Sequence, residues 1–236
     1  MLTRMRQGEE LTDEGAAALA AAAMRYVAPG HVVGLGTGRA ATAFIETLAR
    51  HVRGGLDIRG VPTSKATASL AQRLGIPLTS LEDVAELDVA VDGADEVDPR
   101  LDLMKGYGGA LLREKVVASA ARRFIILVGR EKLVPVLGSH GRLPVEIVAF
   151  AAGPCRRRLI TLGYPPRLRA NGSEPVVTDN GNLIFDCQVR HIADPGSLDA
   201  EIRAIPGVVG TGLFLGMTSA VLLWEGGQCR TLTPSS

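Results

Sequence analysis

An α/β fold is what this chain predicts: a mostly parallel sheet covered by helices, with a second, smaller α+β unit attached. Three observations carry the prediction. Short apolar runs alternate with helical stretches over the first two thirds of the 236 residues; the glycine-rich and acidic breaks follow directly on apolar runs; and past a stretch rich in Gly, Pro and Arg at 138–144 the order becomes β-α-β-β-α-β, a small split-βαβ layout. That length suffices for one large core with an appendage. The reading divides the chain into a large domain of residues 1–140 and 211–236 and a small domain of residues 141–210.

The elements follow in order. The Ala-rich run at 16–23 reads as a helix, too short and too interrupted by Met24 and Arg25 to span a bilayer. Residues 31–35 form a strand that breaks at Gly36-Thr37-Gly38, and 40–50 form a helix with Phe44, Ile45 and Leu48 on its apolar face. A strand at 56–61 ends in Pro62-Thr63-Ser64, followed by a helix at 65–74 that stops at Gly75. The strand at 87–91 runs straight into Asp92; residues 105–115 give a glycine-rich bend and a helix; 124–128 is another buried strand. In the small unit the expected elements are strand 145–150, helix 154–162, strand 166–169, strand 183–189 after the turn at 179–182, helix 197–204 and strand 208–215. The apolar stretch 220–224 returns to the first sheet.

Composition narrows the function. Lys+Arg 26 against Asp+Glu 25 leaves a net charge of +1, so no overall field draws the chain to nucleic acid or an acidic membrane surface. Arg156-Arg157-Arg158 has no interleaved aromatics and reads as a solvated helix face. Cys155, Cys187 and Cys229 are odd in number and show no CxxC spacing, which argues against a disulfide framework or zinc site and for a reducing, cytoplasmic setting. Arg4, Arg6, Glu9 and Glu10 do not have the basic-then-apolar order of a signal peptide. His31, His51, His140 and His191 are scattered without ligand spacing and read as structural or surface residues.

Three segments carry chemistry. In Gly34-Leu35-Gly36-Thr37-Gly38-Arg39-Ala40, between a strand and a helix, glycines allow close backbone approach and unpaired N–H groups at the helix start favour an anion, for which phosphate is the natural guest. A dinucleotide fingerprint fits poorly. Its sixth position is Arg39, and the next strand leads into Pro-Thr-Ser with no acidic residue for a ribose. In Asp92-Gly93-Ala94-Asp95-Glu96-Val97-Asp98 the carboxylates emerge at the carboxyl end of a strand, where open α/β sheets bind ligands, and can shuttle protons between sugar hydroxyls. The spacing is not that of an EF-hand. In Lys105-Gly106-Tyr107-Gly108-Gly109-Ala110-Leu111-Leu112-Arg113-Glu114-Lys115, Glu114 lies three and four residues from Leu111 and Ala110 and from Val117 and Ala118. A carboxylate interrupting an apolar stripe is partly desolvated, which raises its pKa toward that of a general base.

Together with Leu143-Pro144-Val145-Glu146 and Val177-Thr178-Asp179-Asn180-Gly181-Asn182, these segments resemble the ribose-5-phosphate isomerase A family in order and spacing, over almost the whole chain. The resemblance implies a Rossmann-like large domain, a small α+β domain of ferredoxin-like layout, and a homodimer or homotetramer. It also implies interconversion of ribose 5-phosphate and ribulose 5-phosphate with no cofactor and no metal. Carried over by position, the general base falls on Glu114, the assisting aspartates on Asp92 and Asp95, the active-site lysine on Lys105 and a rim lysine on Lys132. The sugar phosphate would lie among Thr37, Gly38, Arg39, Ala40, Gly93, Ala94, Gly106, Tyr107 and Gly108.

Three departures from the family pattern stand out. Arg39-Ala40 replaces the usual Ser-Thr after the glycine loop, the first helix is Ala-rich rather than lysine-bearing, and Tyr107 stands where glycine is usual. The expectation is that Arg39 restores the positive charge with a bidentate grip on phosphate, and that Tyr107 stacks over the sugar or narrows the pocket. The competing functions are a related sugar-phosphate isomerase with another substrate and a non-catalytic sugar-phosphate sensor. A sensor has no need of a carboxylate in an apolar stripe.

Overall fold

The computed structural model describes residues 10–234; the segment with Arg4, Arg6 and Glu9 lies outside them. In chain order, α1 (Asp13–Ala23), β1 (Val32–Leu35), α2 (Arg39–Arg53), β2 (Arg59–Pro62), α3 (Lys65–Arg73) and β3 (Val89–Asp92) precede two short strands, β4 (Glu96–Val97) and β5 (Leu103–Met104). Next come α4 (Leu111–Ser119), β6 (Phe124–Gly129), β7 (Arg142–Ile147), α5 (Ala152–Thr161) and β8 (Pro166–Leu168). The hairpin β9 (Ala170–Asn171) and β10 (Glu174–Pro175), then β11 (Leu183–Gln188), α6 (Pro195–Arg203) and β12 (Val208–Thr211), lead to β13 (Leu213–Phe214), β14 (Ala220–Glu225) and β15 (Gln228–Leu232). No helix among the described residues is long and apolar enough to cross a membrane.

The large sheet has the order β15-β14-β6-β3-β1-β2, parallel except for the β15 edge. Its central strands β1, β3 and β6 are buried on both faces, as a parallel sheet requires. Val33, Leu35, Val89, Val91, Ile125 and Leu127 point toward α1, α2 and α3, while Val32, Ala90, Ile126 and Val128 pack with Val117 and Ala118 of α4 and Phe214. Gly34 lets α4 sit close: a Cβ there would lie 2.6 Å from Val117 Cγ1. That approach brings Glu114 down to the strand ends.

The small sheet, β12-β7-β11-β8, is antiparallel throughout. Leu143, Val145, Ile147, Phe185 and Cys187 pack on Leu159 of α5 and Leu198 and Ile202 of α6. The opposite face meets the large unit, with Pro144 against the turn at Gly106. A third sheet, β13-β5-β4, joins the two.

Several boundaries differ from expectation, each for a local reason. The strand expected at 145–150 starts earlier, at Arg142, and ends at Ile147; the chain then enters a short 3-10 turn that leaves Phe150 99% exposed. Pro144 concealed the true start, because a proline inside a central strand removes a ladder donor. Here Gly212 N–H donates to Pro144 O at 2.8 Å, Pro144 has none to return, and the Gly212 carbonyl instead takes the Lys105 N–H at 2.8 Å. The run at 208–215 is two strands divided at Gly212, where a Cβ would sit 2.2 Å from Lys105 O. The strand expected from 56 begins only at Arg59, which pairs with Val32 at the start of β1.

Candidate active site

A cavity of about 290 Å³ opens at the carboxyl ends of β1, β3 and β6, where the switch-point rule places ligands. Thr37, Gly38, Arg39, Ala40, Gly93, Ala94, Asp95, Lys105, Gly106, Gly108, Glu114 and Lys132, all expected from the sequence, line it. Asp92 and Tyr107 do not.

The glycine loop is built for close approach. Gly38 has φ 107° and stands before the first residue of α2, with no side chain capping the helix, so the first-turn N–H groups remain open to an anion. Gly36 is constrained from below: a Cβ there would lie 2.4 Å from the Asp92 carboxylate. Thr37 Oγ1 points into a cluster of hydroxyls, 2.8 Å from Thr63 Oγ1, 2.9 Å from Ser64 Oγ and 3.1 Å from Thr67 Oγ1. Arg39 sits at the rim, where its guanidinium donates to Asp13 at 2.9 Å; both side chains are largely exposed.

Lys105 is the centre of the charged group. Buried to 3% exposure, its Nζ donates to Gly93 O at 2.6 Å and lies 3.1 Å from Asp92 Oδ2 and 3.4 Å from Glu114 Oε2. Burial alone would depress its pKa, but the Asp92 and Glu114 carboxylates outweigh burial and hold it above the ordinary lysine value. It is a fixed cation.

Glu114 comes from the first turn of α4, its carboxylate buried beside Leu111, Val117 and Ala118 as the interrupted stripe implied. Burial raises its pKa to about 8, against the attraction of Lys105 and with a smaller push from Asp92. Its Oε2 accepts no hydrogen bond among the described residues. A carboxylate paired but incompletely hydrogen-bonded retains much of its basicity.

Two of the expected site residues do not line the cavity wall. Asp92, 2% exposed, lies behind Lys105 rather than on the cavity. Its Oδ1 accepts the N–H of Thr37 at 3.1 Å and of Gly93 at 2.8 Å, so it fastens the glycine loop to the end of β3. Burial raises its pKa, opposed by Lys105 and those two N–H groups. Tyr107 does not stack over the cavity. Gly106 at φ 106° turns the chain so that the Tyr107 ring faces the small sheet, 3.7 Å from the Arg142 guanidinium carbon, with its hydroxyl donating to Arg142 O at 3.2 Å. Only the Tyr107 N–H serves the site, donating to Asp95 Oδ2 at 2.9 Å and orienting that carboxylate.

Residues the sequence reading missed also line the cavity: Glu10, Leu11, Leu127, Val128, Gly129 and Glu131. The end of β6 carried a usable signal, because it is the carboxyl end of a buried parallel strand next to β3, whose following turn lines the cavity. Glu10 and Leu11 arrive from a distant segment that has no local motif.

A buried carboxyl of raised pKa, a buried cation beside it and an uncapped helix N-terminus share one small cavity, an arrangement suited to holding a small anion and exchanging protons with it. Residues 59–227 match the family model for ribose 5-phosphate isomerase A (phosphoriboisomerase A). The ribose-5-phosphate isomerase A of Roseiflexus sp. (strain RS-1) is 51% identical over 218 residues, covering 91% of this chain and 94% of that protein. A ribose 5-phosphate isomerase A from Methanocaldococcus jannaschii superposes with a TM-score of 0.89 at 37% identity, over 94% of this chain and 99% of that one. A D-ribose-5-phosphate isomerase solved in complex with phospho-erythronic acid gives 0.90 at 37% identity, over 94% and 98%. The chain belongs to the ribose 5-phosphate isomerase A family.

Proposed function

We propose that the chain interconverts ribose 5-phosphate and ribulose 5-phosphate through an enediolate, with Glu114 as the base and no metal. The observation that carries this reading is the Glu114 carboxylate: it lines the cavity, is held at a pKa of about 8 by burial, and lies 3.4 Å from a permanent cation. Glu114 takes the proton from C2 of the open-chain aldose, and the C–H electrons move through C1 onto the carbonyl oxygen. Lys105, acting as the cation of the site, stabilises that oxyanion. Glu114 returns the proton to C1 while Asp95 passes the hydroxyl proton from O2 to O1, leaving the C2 ketone. Asp95 suits this role because it lines the cavity, whereas Asp92 holds the loop and Lys105 in place.

The first turn of α2, with Arg39 and Lys132, is proposed to take the phosphate. The relative bound to phospho-erythronic acid supports the charge pattern. That acid has phosphate at one end and a planar carboxylate at the other, as a phosphorylated enediolate has two oxygens at its far end. Because Tyr107 faces away, the substrate reading needs no adjustment for it. Cys155, Cys187 and Cys229 are free thiols, two of them buried, which suits the proposed cytoplasmic setting.

The test is turnover of ribose 5-phosphate in EDTA across pH. The base must be ionised to act, so kcat/KM rises with pH and levels off above about 8; a flat profile between about pH 6 and 9 would remove Glu114 from this role. Arg39→Ala tests the phosphate assignment. Loss of a charge-assisted contact there raises KM roughly tenfold with kcat little changed, and an unchanged KM means that Arg39 serves only its ion pair with Asp13.

A further inference from the structure

The reaction as drawn leaves a second deeply buried carboxylate unused. Glu146 in β7 is 0% exposed and shares a face of the small sheet with Pro144, toward the Gly106 turn and α4. Its Oε1 accepts from three side chains of a single turn: Asn182 Nδ2 at 2.9 Å, Thr178 Oγ1 at 3.0 Å and Asn180 Nδ2 at 3.4 Å. Thr178 Oγ1 also accepts the backbone N–H groups of Asn182 at 3.2 Å and Asn180 at 3.3 Å, so the turn is shaped around this carboxylate.

From there the turn reaches two helices that adjoin the cavity. On one side, Asp179 Oδ2 accepts the N–H of Lys65 at 2.6 Å. Lys65 opens α3 next to Ser64, whose Oγ accepts from Thr37 Oγ1 at 2.9 Å. On the other side, Arg113 Nε donates to Asn180 Oδ1 at 2.8 Å, and the guanidinium reaches Asp179 O at 3.2 Å. Arg113 directly precedes Glu114 on α4. The turn therefore spans from the helix that bears the base to the helix whose first turn holds the glycine loop. A carboxylate buried in a sheet costs stability unless donors satisfy it; here every donor goes to Oε1 and comes from this one bridging turn, and Oε2 is buried with no hydrogen-bond partner among the described residues.

We infer that Glu146 is a positioning residue for the isomerisation: by shaping the turn at 178–182 it sets Glu114 relative to the phosphate end of the cavity. The inference rests on the reading of Glu114 as the base, and Glu114→Gln beside the wild type in the same assay checks that reading separately. Steady-state kinetics are measured for Glu146→Ala, Glu146→Gln, Arg113→Ala and the Glu146→Ala/Arg113→Ala pair. Glu146→Ala lowers kcat by about tenfold or more, and Glu146→Gln recovers it to within about threefold, because the amide oxygen can accept the same donors. With Arg113→Ala already present the turn no longer holds α4, and Glu146→Ala then lowers kcat by less than about threefold further. Equal factors in both backgrounds, or no recovery by glutamine, would show that Glu146 only supports the fold and would overturn the inference. Should Glu146→Ala fail to fold, Thr178→Val, which keeps the carboxylate and removes the hydroxyl at the centre of the turn, enters the same cycle with the same expectations.

Discussion

Glu114→Gln lowers kcat on ribose 5-phosphate by about 10² to 10⁴-fold, the range that a positioned general base contributes, and changes KM far less. Glutamine keeps the shape and burial of the side chain but cannot take the C2 proton. The same substitution has a signature in stability. The folded-state pKa of Glu114 lies near 8, above the ordinary glutamate value of 4.5, so its contribution is most favourable below about pH 4.5 and is lost as pH rises through about 8. Glutamine does not titrate. The melting temperature of the variant relative to wild type therefore climbs from pH 5 to pH 9, and thermal unfolding at the two pH values reads it directly. A gap that shrinks with pH would mean that Lys105 stabilises the carboxylate by more than burial destabilises it.

Lys105→Met has an effect of similar size on activity and a larger one on stability. Lys105 Nζ lies between Asp92 Oδ2 at 3.1 Å and Glu114 Oε2 at 3.4 Å, with both carboxylates nearly inaccessible. Removing the cation leaves two carboxyl groups buried without their counter-charge, a change that costs roughly 3–5 kcal/mol where they are ionised. It also removes the group that would meet the developing oxyanion, worth about 10² to 10³ in kcat. Without Lys105 both carboxyl pKa values rise further, and protonation at low pH relieves the strain. The stability deficit measured by urea unfolding is accordingly larger at pH 8 than at pH 5. A deficit independent of pH would show that the loss comes from packing against Phe214, whose ring lies 5.6 Å from Nζ, rather than from charge.

What the sequence disclosed and what it concealed divide along physical lines. The glycine loop, the strand running into Asp92 and the carboxylate in the apolar stripe at Glu114 were legible, because burial and backbone conformation impose those residue types locally. The direction of a side chain after a glycine was not. Tyr107 points away from the cavity because Gly106 adopts φ 106°, and no pattern among neighbouring residues encodes that sign. Asp92 and Asp95 look alike as a motif, yet the turn after β3 puts the first behind Lys105 and the second on the cavity. The two-residue strands β4, β5 and β13 are too short to show a period of two. Partners distant in sequence were equally hidden: Arg39 meets Asp13, and Asp179 meets the start of α3.

The most direct test of proton transfer by Glu114 is deuterium incorporation in ²H₂O with EDTA present, carried through many turnovers at equilibrium and followed by NMR. Deuterium at C2 of ribose 5-phosphate and C1 of ribulose 5-phosphate with the wild type, and none over the same time with Glu114→Gln, is the predicted result. Interconversion by the wild type with both positions still protiated would mean direct hydride transfer between C1 and C2, and would contradict the enediolate and its base together.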